Sequence, residues 1–228
     1  MNTRLWAKED DSLYRSAGKA MNRGYQLSYE LACKQLQSIA DIEQQCLKVG
    51  ASCEVAGPKK IVTLRYLNRS YRVIIPDIRI VVEGSDEEVP LRDKILILHY
   101  LAQGKGTPLC GKVIAYKELG EAATYFPTFS KRTLKPIIEN FGTEPQLLLE
   151  AAASIGGWKA EYGDVAVTIN AFDRVPITFV VWRGDEEFPA AANILFDRSV
   201  TDYLPTEDII VACEVMAWKL VRSVRSRG

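Results

Sequence analysis

Two pairs of β-rich segments, each joined by only a few turn-forming residues, restrict the fold more than any other part of the sequence. The pairs are Lys60–Leu67 with Tyr71–Ile75 and Val165–Asn170 with Ile177–Trp182. Asn68-Arg69-Ser70 separates the first pair, and residues 171–176 separate the second. Such spacing is typical of hairpins. Because strands and helices do not alternate regularly, the pattern predicts an α+β fold with a mainly antiparallel sheet.

Apolar residues at helical spacing predict amphipathic helices packed against this sheet. The predicted helices are 27–49, Leu91–Ala102, Lys131–Asn140, Pro145–Ile155 and Pro205–Val224. Gly50 and Gly104 are placed to end the first two, and Ser130 is placed to cap the third at its N-terminus. The apolar stripes of helices 27–49 and 205–224 are expected to lie on the sheet.

The length and local composition predict one folded domain. A chain of 228 residues with 47% hydrophobic residues is long enough to bury a sizeable core. Residues 1–23 are polar and aperiodic, which indicates a flexible N-terminal arm. We therefore expect a single α+β domain over 24–228, with sub-layers 24–142 and 143–228 as the alternative division.

The charge balance favours neither a nucleic acid nor a membrane as partner. Lys and Arg total 29, as do Asp and Glu, so no net field collects polyanions. Lys219, Arg222, Arg225 and Arg227 gather at the C-terminus, where cations suit the end of a helix. The longest apolar runs are too short to span a bilayer, and the first residues lack the apolar core of a signal peptide. A cytoplasmic location is therefore expected.

The metal-ligating residue types predict no zinc or iron–sulfur cluster within the chain. The five cysteines include no C-x-x-C pair, and His99 is the single histidine. No nucleophile lies near His99 in a recognisable setting, so we interpret it as a hydrogen-bonded, partly buried helix residue. Catalytic residues therefore stay unknown.

The segment 182–208 combines seven carboxylates with four aromatic residues and is the richest in candidate chemistry. In one interpretation the acids are structural: Asp197 caps a short helix, while Glu207 and Asp208 occupy the first turn of the last helix. The alternatives are a site for Mg²⁺ or Ca²⁺ and a polar ligand pocket using Asp185 or Glu187. If Val175–Trp182 is a central strand covered on both sides, Phe188 and Phe196 can anchor the following turn in the core.

A second segment, residues 116–132, interleaves aromatic residues with cations. Its Lys131 and Arg132, close to a predicted helix start, are suited to binding an anion. A binding site is therefore predicted between this segment and the Gly184–Pro189 turn. The candidate ligand-binding residues are Phe129, Lys131, Arg132, Trp182, Asp185, Glu187, Asp197, Glu207 and Asp208.

Several motifs together resemble a prokaryotic family, domain of unknown function 3786, over about Leu91 to Leu220. The resemblance is carried by Leu96-Ile-Leu-His-Tyr-Leu101, by Tyr125 with Phe129, by Phe141-Gly142, and most specifically by Trp182-x-Gly-Asp-Glu-Glu-Phe-Pro189, Ile194-Leu-Phe-Asp197 and Leu204-Pro-Thr-Glu-Asp208. Such proteins are typical of anaerobic bacteria and archaea, and some are fused to a four-cysteine iron–sulfur domain similar to that of corrinoid proteins. The cysteines of this chain do not make that cluster, so the resemblance implies a separate iron–sulfur or corrinoid protein as partner.

Two functions follow as hypotheses. The first is a cytoplasmic ligand-binding or accessory protein, associated through the resemblance with iron–sulfur or corrinoid metabolism, whose ligand is unknown and for which a corrinoid or tetrapyrrole is a candidate. The alternative is a metal- or acid-dependent enzyme using Asp185, Glu187 and Asp197.

Overall fold

The computed structural model describes residues 24–120 and 122–225, so the arm expected at 1–23 lies outside it. The helices are α1 (24–37), α2 (Ile42–Val49), α3 (Leu91–Gln103), α4 (Ala122–Phe129), α5 (Lys135–Phe141), α6 (Leu147–Ala153) and α7 (Thr206–Arg225). The strands are β1 (Ser52–Ala56), β2 (Lys59–Tyr66), β3 (Arg69–Ile75), β4 (Arg79–Val82), β5 (Val113–Ala115), β6 (Trp158–Ala160), β7 (Val165–Phe172), β8 (Val175–Trp182) and β9 (Ala191–Asp197).

The strands form one antiparallel sheet in two halves. The order is β4-β3-β2-β7-β8-β9-β5, with β1 added beside β2 and β6 beside β7. A single backbone pair, Tyr66 with Phe172, joins β2 to β7, and their rings lie 4.9 Å apart. Helices accompany this sheet on its buried side, so the predicted α+β class with a mainly antiparallel sheet is confirmed.

Both predicted hairpins are present, with tighter turns than the sequence indicated. Leu67 and Asn68 connect β2 to β3 with positive φ angles of 47° and 60°. This geometry matches the right-handed twist of the flanking strands, and asparagine tolerates it well. Asp173 and Arg174 connect β7 to β8. The sequence indicated the strands because these runs are rich in β-branched and aromatic residues, but it placed the turn residues one or two positions too widely.

Strand β8 is central but not fully covered. It lies between β7 and β9, and on one face Ile177, Phe179 and Val181 are completely buried. Helices α5 and α6 pack against this part of the sheet from that side. On the other face Val180 is completely buried and Thr178 is half-buried, whereas Trp182 is 41% exposed. The expectation of cover on both sides therefore holds at Val180 and fails at Trp182, where the strand ends and its apolar outer face remains partly open.

The helix predicted over 27–49 is two helices. Chain direction changes at residues 38–41, where the Asp41 carboxylate caps α2 by accepting a hydrogen bond from the Gln44 N–H at 2.9 Å. The predicted stripe is still buried, because Leu36 and Cys46 fall on the inner side of each helix. Gly50 ends α2 with a φ of 73°, as predicted.

The region before α5 differs most from the prediction. Ser130 is not an N-cap; it begins one turn of π-helix over Ser130–Leu134 that connects α4 to α5. Helix α4 was missed because Pro127 lies inside it, and an internal proline usually ends a helix. Strands β1, β6 and β9 were also missed, since each is short or lacks strict alternation.

Helix α7 lies where the sequence predicted it, with Cys213, Met216 and Leu220 fully buried. Its main neighbours are helices α3, α5 and α6 rather than the strands on which its stripe was expected to lie. None of the helices in 24–120 and 122–225 has the length and apolar character needed to cross a membrane.

A hydrogen bond from within the chain occupies part of the outer edge of strand β5. The Ala115 N–H donates to the Glu118 carboxylate at 2.8 Å rather than to a neighbouring strand. Glu118 belongs to a short 3₁₀ helix that directly follows β5.

We expect Gly104→Ala to destabilise the fold by about 1–3 kcal/mol, because a methyl group has no room at this position. The added carbon would collide with the Val49 side chain and lie 3.2 Å from the Tyr203 ring. Urea unfolding measures the loss. Gly24→Ala is the control, since no atom lies within 4 Å of its added carbon; equal stability of the two variants would contradict the close packing at the end of α3.

Candidate ligand-binding cleft

A cleft of about 510 Å³ opens between the start of α1, the start of α3 and the second half of α7. On α7, Glu214, Trp218 and Arg222 follow one another at intervals of four residues, which places their side chains on one face of a helix. This face lies opposite the buried stripe of α7. The residues with polar or aromatic groups in the lining are Tyr25, Arg92, Asp93, Glu214, Trp218, Lys219 and Arg222.

Glu214 is shared by two arginines at the wall of the cleft. Arg92 approaches one carboxylate oxygen at 3.3 Å, and Arg132 donates to the other in a close hydrogen bond. The Arg92 guanidinium also lies over the Tyr25 ring, 5.0 Å from its centre, which is a cation–π contact. Tyr25 also lies near Arg132 and helps to raise the pKa of that guanidinium. These contacts fix the aromatic ring and both guanidinium groups relative to one another.

The turn of π-helix accounts for the direction of Arg132. A π turn inserts an extra residue into a helix, and such turns occur often at functional sites. Here it packs against α7, and its Thr133 hydroxyl donates to the Phe129 carbonyl at 2.7 Å. The irregular helix therefore brings Arg132 to Glu214.

Cations outnumber carboxylates at this cleft. Arg92, Lys219 and Arg222 line it and Arg132 is bound to Glu214, whereas the carboxylates in the lining are Asp93 and Glu214. Because one carboxylate serves two arginines, positive charge remains for a ligand to neutralise.

Asp93 is the deepest charged group of the lining, with only 3% of its surface exposed. It lies in the first turn of α3, and the Tyr66 hydroxyl donates to it at 3.3 Å. Burial raises the pKa of the Asp93 carboxyl, while Lys219, the Tyr66 hydroxyl and Arg92 act in the opposite direction. No cation of the described residues is within ion-pair distance of it.

Among the residues predicted from the sequence, Arg132 is the one that contacts this cleft. Phe129 is buried and stacks on Tyr116 with ring centres 3.8 Å apart, and Lys131 is exposed. Trp182 lies next to Phe126 in a separate, shallow depression. Neither predicted aromatic residue therefore lines the cleft: Phe129 belongs to the core, and Trp182 belongs to the separate depression.

The acidic turn after β8 is held together by hydrogen bonds to its first acidic residue, Asp185. One Asp185 oxygen accepts hydrogen bonds from the Glu187 N–H at 2.9 Å and the Phe188 N–H at 2.7 Å. Phe188 is 67% exposed, so the expectation that it anchors the turn in the core was wrong; Phe196, one strand later, is buried as expected. Glu187 is exposed.

Asp197 caps the short 3₁₀ helix Arg198–Asp202, as predicted. It accepts from the Ser199 N–H at 2.9 Å and the Ser199 hydroxyl at 2.7 Å, and it also binds the Gly111 N–H at 2.7 Å. Burial alone would raise the pKa of this carboxyl, but the hydrogen bonds from Ser199 and Cys110 outweigh it and lower the pKa to about 2. Asp197 thus ties the loop before β5 to the end of β9.

The acids of the 182–208 segment do not converge. Asp185 and Glu187 follow the end of β8 that pairs with Ala191, whereas Asp197 lies at the other end of β9, roughly 20 Å away along the strand. Within the described part of the chain, no group of three or more His, Cys, Asp or Glu side chains is arranged to hold a metal ion.

At the start of α7, Asp208 and Glu207 have different environments. Asp208 is buried and its carboxylate is 2.6 Å from His99 Nδ1, so His99 is a hydrogen-bonded, partly buried helix residue as predicted. Glu207 is exposed in the first turn of the helix.

Sequence reasoning missed most of the cleft, although one signal was present. Lys219 and Arg222 were explained by the electrostatics of a helix C-terminus, yet both line the cleft. The interval of four residues between Glu214, Trp218 and Arg222 was the available signal, because it places an acid, an aromatic ring and a cation on one exposed face. Nothing local indicated that α3 would lie opposite.

We expect Glu214→Gln to lower the free energy of unfolding by about 1–3 kcal/mol, because two arginines lose their shared carboxylate. Chemical denaturation checks this. Glu139→Gln is the control, since its pair with Lys135 at 3.7 Å is exposed and contributes little. A Glu214→Gln loss as small as the control's would show that the two arginines do not depend on Glu214.

We expect Asp197→Asn to cost about 1 kcal/mol at pH 7, after allowance for solvent screening. The folded-state pKa of about 2 lies below the ordinary value of 3.8. Asp197 therefore stabilises the fold above about pH 4, and this contribution disappears as the pH falls through 2. Unfolding curves between pH 7 and pH 2 should converge for wild type and variant, whereas a constant difference would contradict the shift.

Comparison with known proteins identifies a family but no characterised relative. The family model described as "Domain of unknown function (DUF3786)" matches residues 41–218. This span includes α3, the π turn, the whole of β9 and α7 as far as Trp218. No curated protein matches the chain, and no solved structure matches it. Because the family model covers well over half of the sequence, the chain belongs to the DUF3786 family.

Proposed function

We propose that the protein binds a small, anionic, aromatic ligand in the cleft between α3 and α7. The observation that carries the proposal is the excess of cations beside two aromatic rings in one concave site. Ligand pockets of 300–1,000 Å³ are typical of small-molecule sites, and this cleft falls in that range.

The aromatic and charged groups of the cleft have complementary tasks. Trp218 is 38% exposed, which leaves part of its ring free to stack on a flat ligand. Arg222, one turn of α7 beyond Trp218, and Lys219, the residue next to Trp218, supply cations for a carboxylate or phosphate. Because Arg92 lies over the Tyr25 ring and shares Glu214 with Arg132, binding requires little further ordering of these side chains.

The link to iron–sulfur or corrinoid metabolism is part of this proposal and rests on the family resemblance alone. A corrinoid or tetrapyrrole is flat and carries polar or acidic side chains, so its edge has the chemistry that the cleft accepts. A separate iron–sulfur or corrinoid protein would then be the partner, with the protein acting as an accessory in the cytoplasm. The alternative, an enzyme built on Asp185, Glu187 and Asp197, gains no support from carboxylates at opposite ends of a strand.

We expect at least one aromatic anion to raise the melting temperature of the protein, because a ligand that binds the folded state stabilises it. The aromatic anions to be tested are AMP, GMP, 2-naphthoate, pterin-6-carboxylate and protoporphyrin IX. Hydroxocobalamin, which is neither aromatic nor an anion, tests the corrinoid link separately. Calorimetry then gives the dissociation constant. Trp218→Ala and Arg222→Ala should each weaken binding at least about tenfold, since each removes a group expected to contact the ligand.

Arg225→Ala is the matched control, because it removes the same charge three residues further along α7, where the side chain bonds to Asn140 instead of lining the cleft. Binding should survive in this variant. If no probe binds, or if binding persists in both Trp218→Ala and Arg222→Ala, the cleft is not the ligand site.

A further inference from the structure

We infer that the ligand of the cleft carries a guanidine-like edge, two adjacent N–H groups on a heteroaromatic ring, which the Asp93 carboxylate recognises. This inference rests on the proposed function and adds the chemical class of the ligand. Guanine nucleotides and pterin carboxylates share that edge, a flat ring and an anionic tail.

The position of Asp93 carries the first step. Its side chain is almost completely buried, yet it belongs to the lining of the cleft. The Tyr66 hydroxyl is its single hydrogen-bond donor among the described residues, and it reaches only Oδ1. Carboxylate oxygens accept about four hydrogen bonds between them. The second oxygen of Asp93, Oδ2, has no donor among the described residues. Buried polar groups are normally satisfied, and an open one in a cleft points to a ligand donor.

The chemistry of a carboxylate carries the second step. Two parallel N–H groups pair with its two oxygens, as in an arginine–carboxylate pair, and this geometry is both strong and selective. An aromatic anion lacking the edge would leave the Asp93 carboxylate desolvated and unpaired, which costs affinity. Asp93 at the bottom of the cleft therefore selects ligands with N–H donors, whereas Lys219 and Arg222 select ligands with a negative charge.

The arrangement of the remaining groups fits one orientation of such a ligand. Trp218 offers an exposed ring for stacking, and Lys219 and Arg222 are cations for the tail. A ligand with its edge on Asp93 and its tail on α7 would lie along the cleft. The ring, edge and tail would each meet a different class of side chain.

The titratable groups around Asp93 set the pH dependence. Lys219 on α7, Arg92 on α3 and Glu87 in the loop before α3 carry charges, whereas Tyr66 on β2 and Tyr71 on β3 are neutral phenols. Pairing with N–H donors needs the ionised carboxylate, and burial raises the pKa of Asp93 in the free protein. Affinity for the edge should therefore be full well above that pKa and should fall as the pH drops through it.

Calorimetry with GMP, pterin-6-carboxylate, AMP and 2-naphthoate tests the inference. AMP has the phosphate and a purine but lacks the guanidine-like edge, so GMP should bind at least about tenfold more tightly than AMP. The ratio should shrink as the pH is lowered from 8 towards the pKa of Asp93, and since both nucleotides carry the same phosphate, this change reports on the protein. Tighter binding of pterin-6-carboxylate than of GMP would identify a pterin as the source of the edge, and the reverse would identify a nucleotide.

Asp93→Asn adds a change of specificity that lost folding cannot imitate. The asparagine amide presents one donor and one acceptor, so it should lose the preference for GMP and gain affinity for XMP, in which a carbonyl replaces the amino group. Tyr71→Phe, a neighbouring variant that keeps the carboxylate, should retain the preference for GMP.

The outcomes separate this inference from the proposed function. If AMP binds as tightly as GMP and 2-naphthoate binds as well, the edge is not recognised and only the inference falls. If Asp93→Asn folds and still prefers GMP, the same conclusion follows. Should none of the four anions bind, the inference falls together with the anion site proposed for the cleft.

Discussion

The contact between Tyr66 and Phe172 is the constraint on which the rest of the structure depends. It is the one place where the two halves of the described sheet are joined by backbone pairing. Phe172 also stacks on Tyr100 of α3 with ring centres 4.0 Å apart, and Tyr100 lies 5.8 Å from Tyr203. A row of four aromatic rings thus connects both half-sheets to α3 and to the start of the last helical region.

Each tyrosine hydroxyl in this row donates a hydrogen bond to a different part of the structure, so the row joins these parts by polar as well as apolar contacts. The Tyr100 hydroxyl donates to the Val49 carbonyl at the end of α2 at 2.6 Å, and the Tyr203 hydroxyl donates to the Thr107 carbonyl. Tyr66 donates to Asp93 at the floor of the cleft. Buried phenols normally find such partners, and here the partners fix the positions of α2, the 104–112 loop and α3. The geometry of the cleft therefore depends on the contact between Tyr66 and Phe172 that joins the two halves of the sheet.

The sequence contained most of the fold because its strong signals are local. The β-branched and aromatic residues of β7 and β8, turn residues at Asn68 and apolar spacing along α7 each indicate an element without reference to the rest of the chain. The prediction errors arose where the structure departs from a local sequence preference. Pro127 argues against a helix, yet α4 continues around it, and the apolar period of 27–49 runs through a break that Asp41 caps.

The candidate site was harder to predict for the same reason. Asp185 and Asp197 stood out because acids are rare beside aromatic residues, but both bind backbone N–H groups, which is a structural role: Asp185 within its own turn, and Asp197 at Ser199 and at the distant Gly111. The cleft needs Asp93 on α3, Arg132 on the π turn and Glu214 on α7, which are far apart in sequence. Arg132 was found because its own segment looked unusual. Asp93 and Glu214 were not, since each looks like an ordinary charged residue of an amphipathic helix.

Glu118 has a consequence for how molecules of this protein meet one another. A free edge strand offers unpaired N–H and C=O groups on which a strand of another molecule can assemble. At β5 the Ala115 N–H is already taken by the Glu118 carboxylate, which also places a negative charge along that edge. A second molecule approaching β5 would have to displace this carboxylate before it could add a strand. The same three-residue turn that ends β5 therefore occupies a donor through which a strand of another molecule would add to this edge.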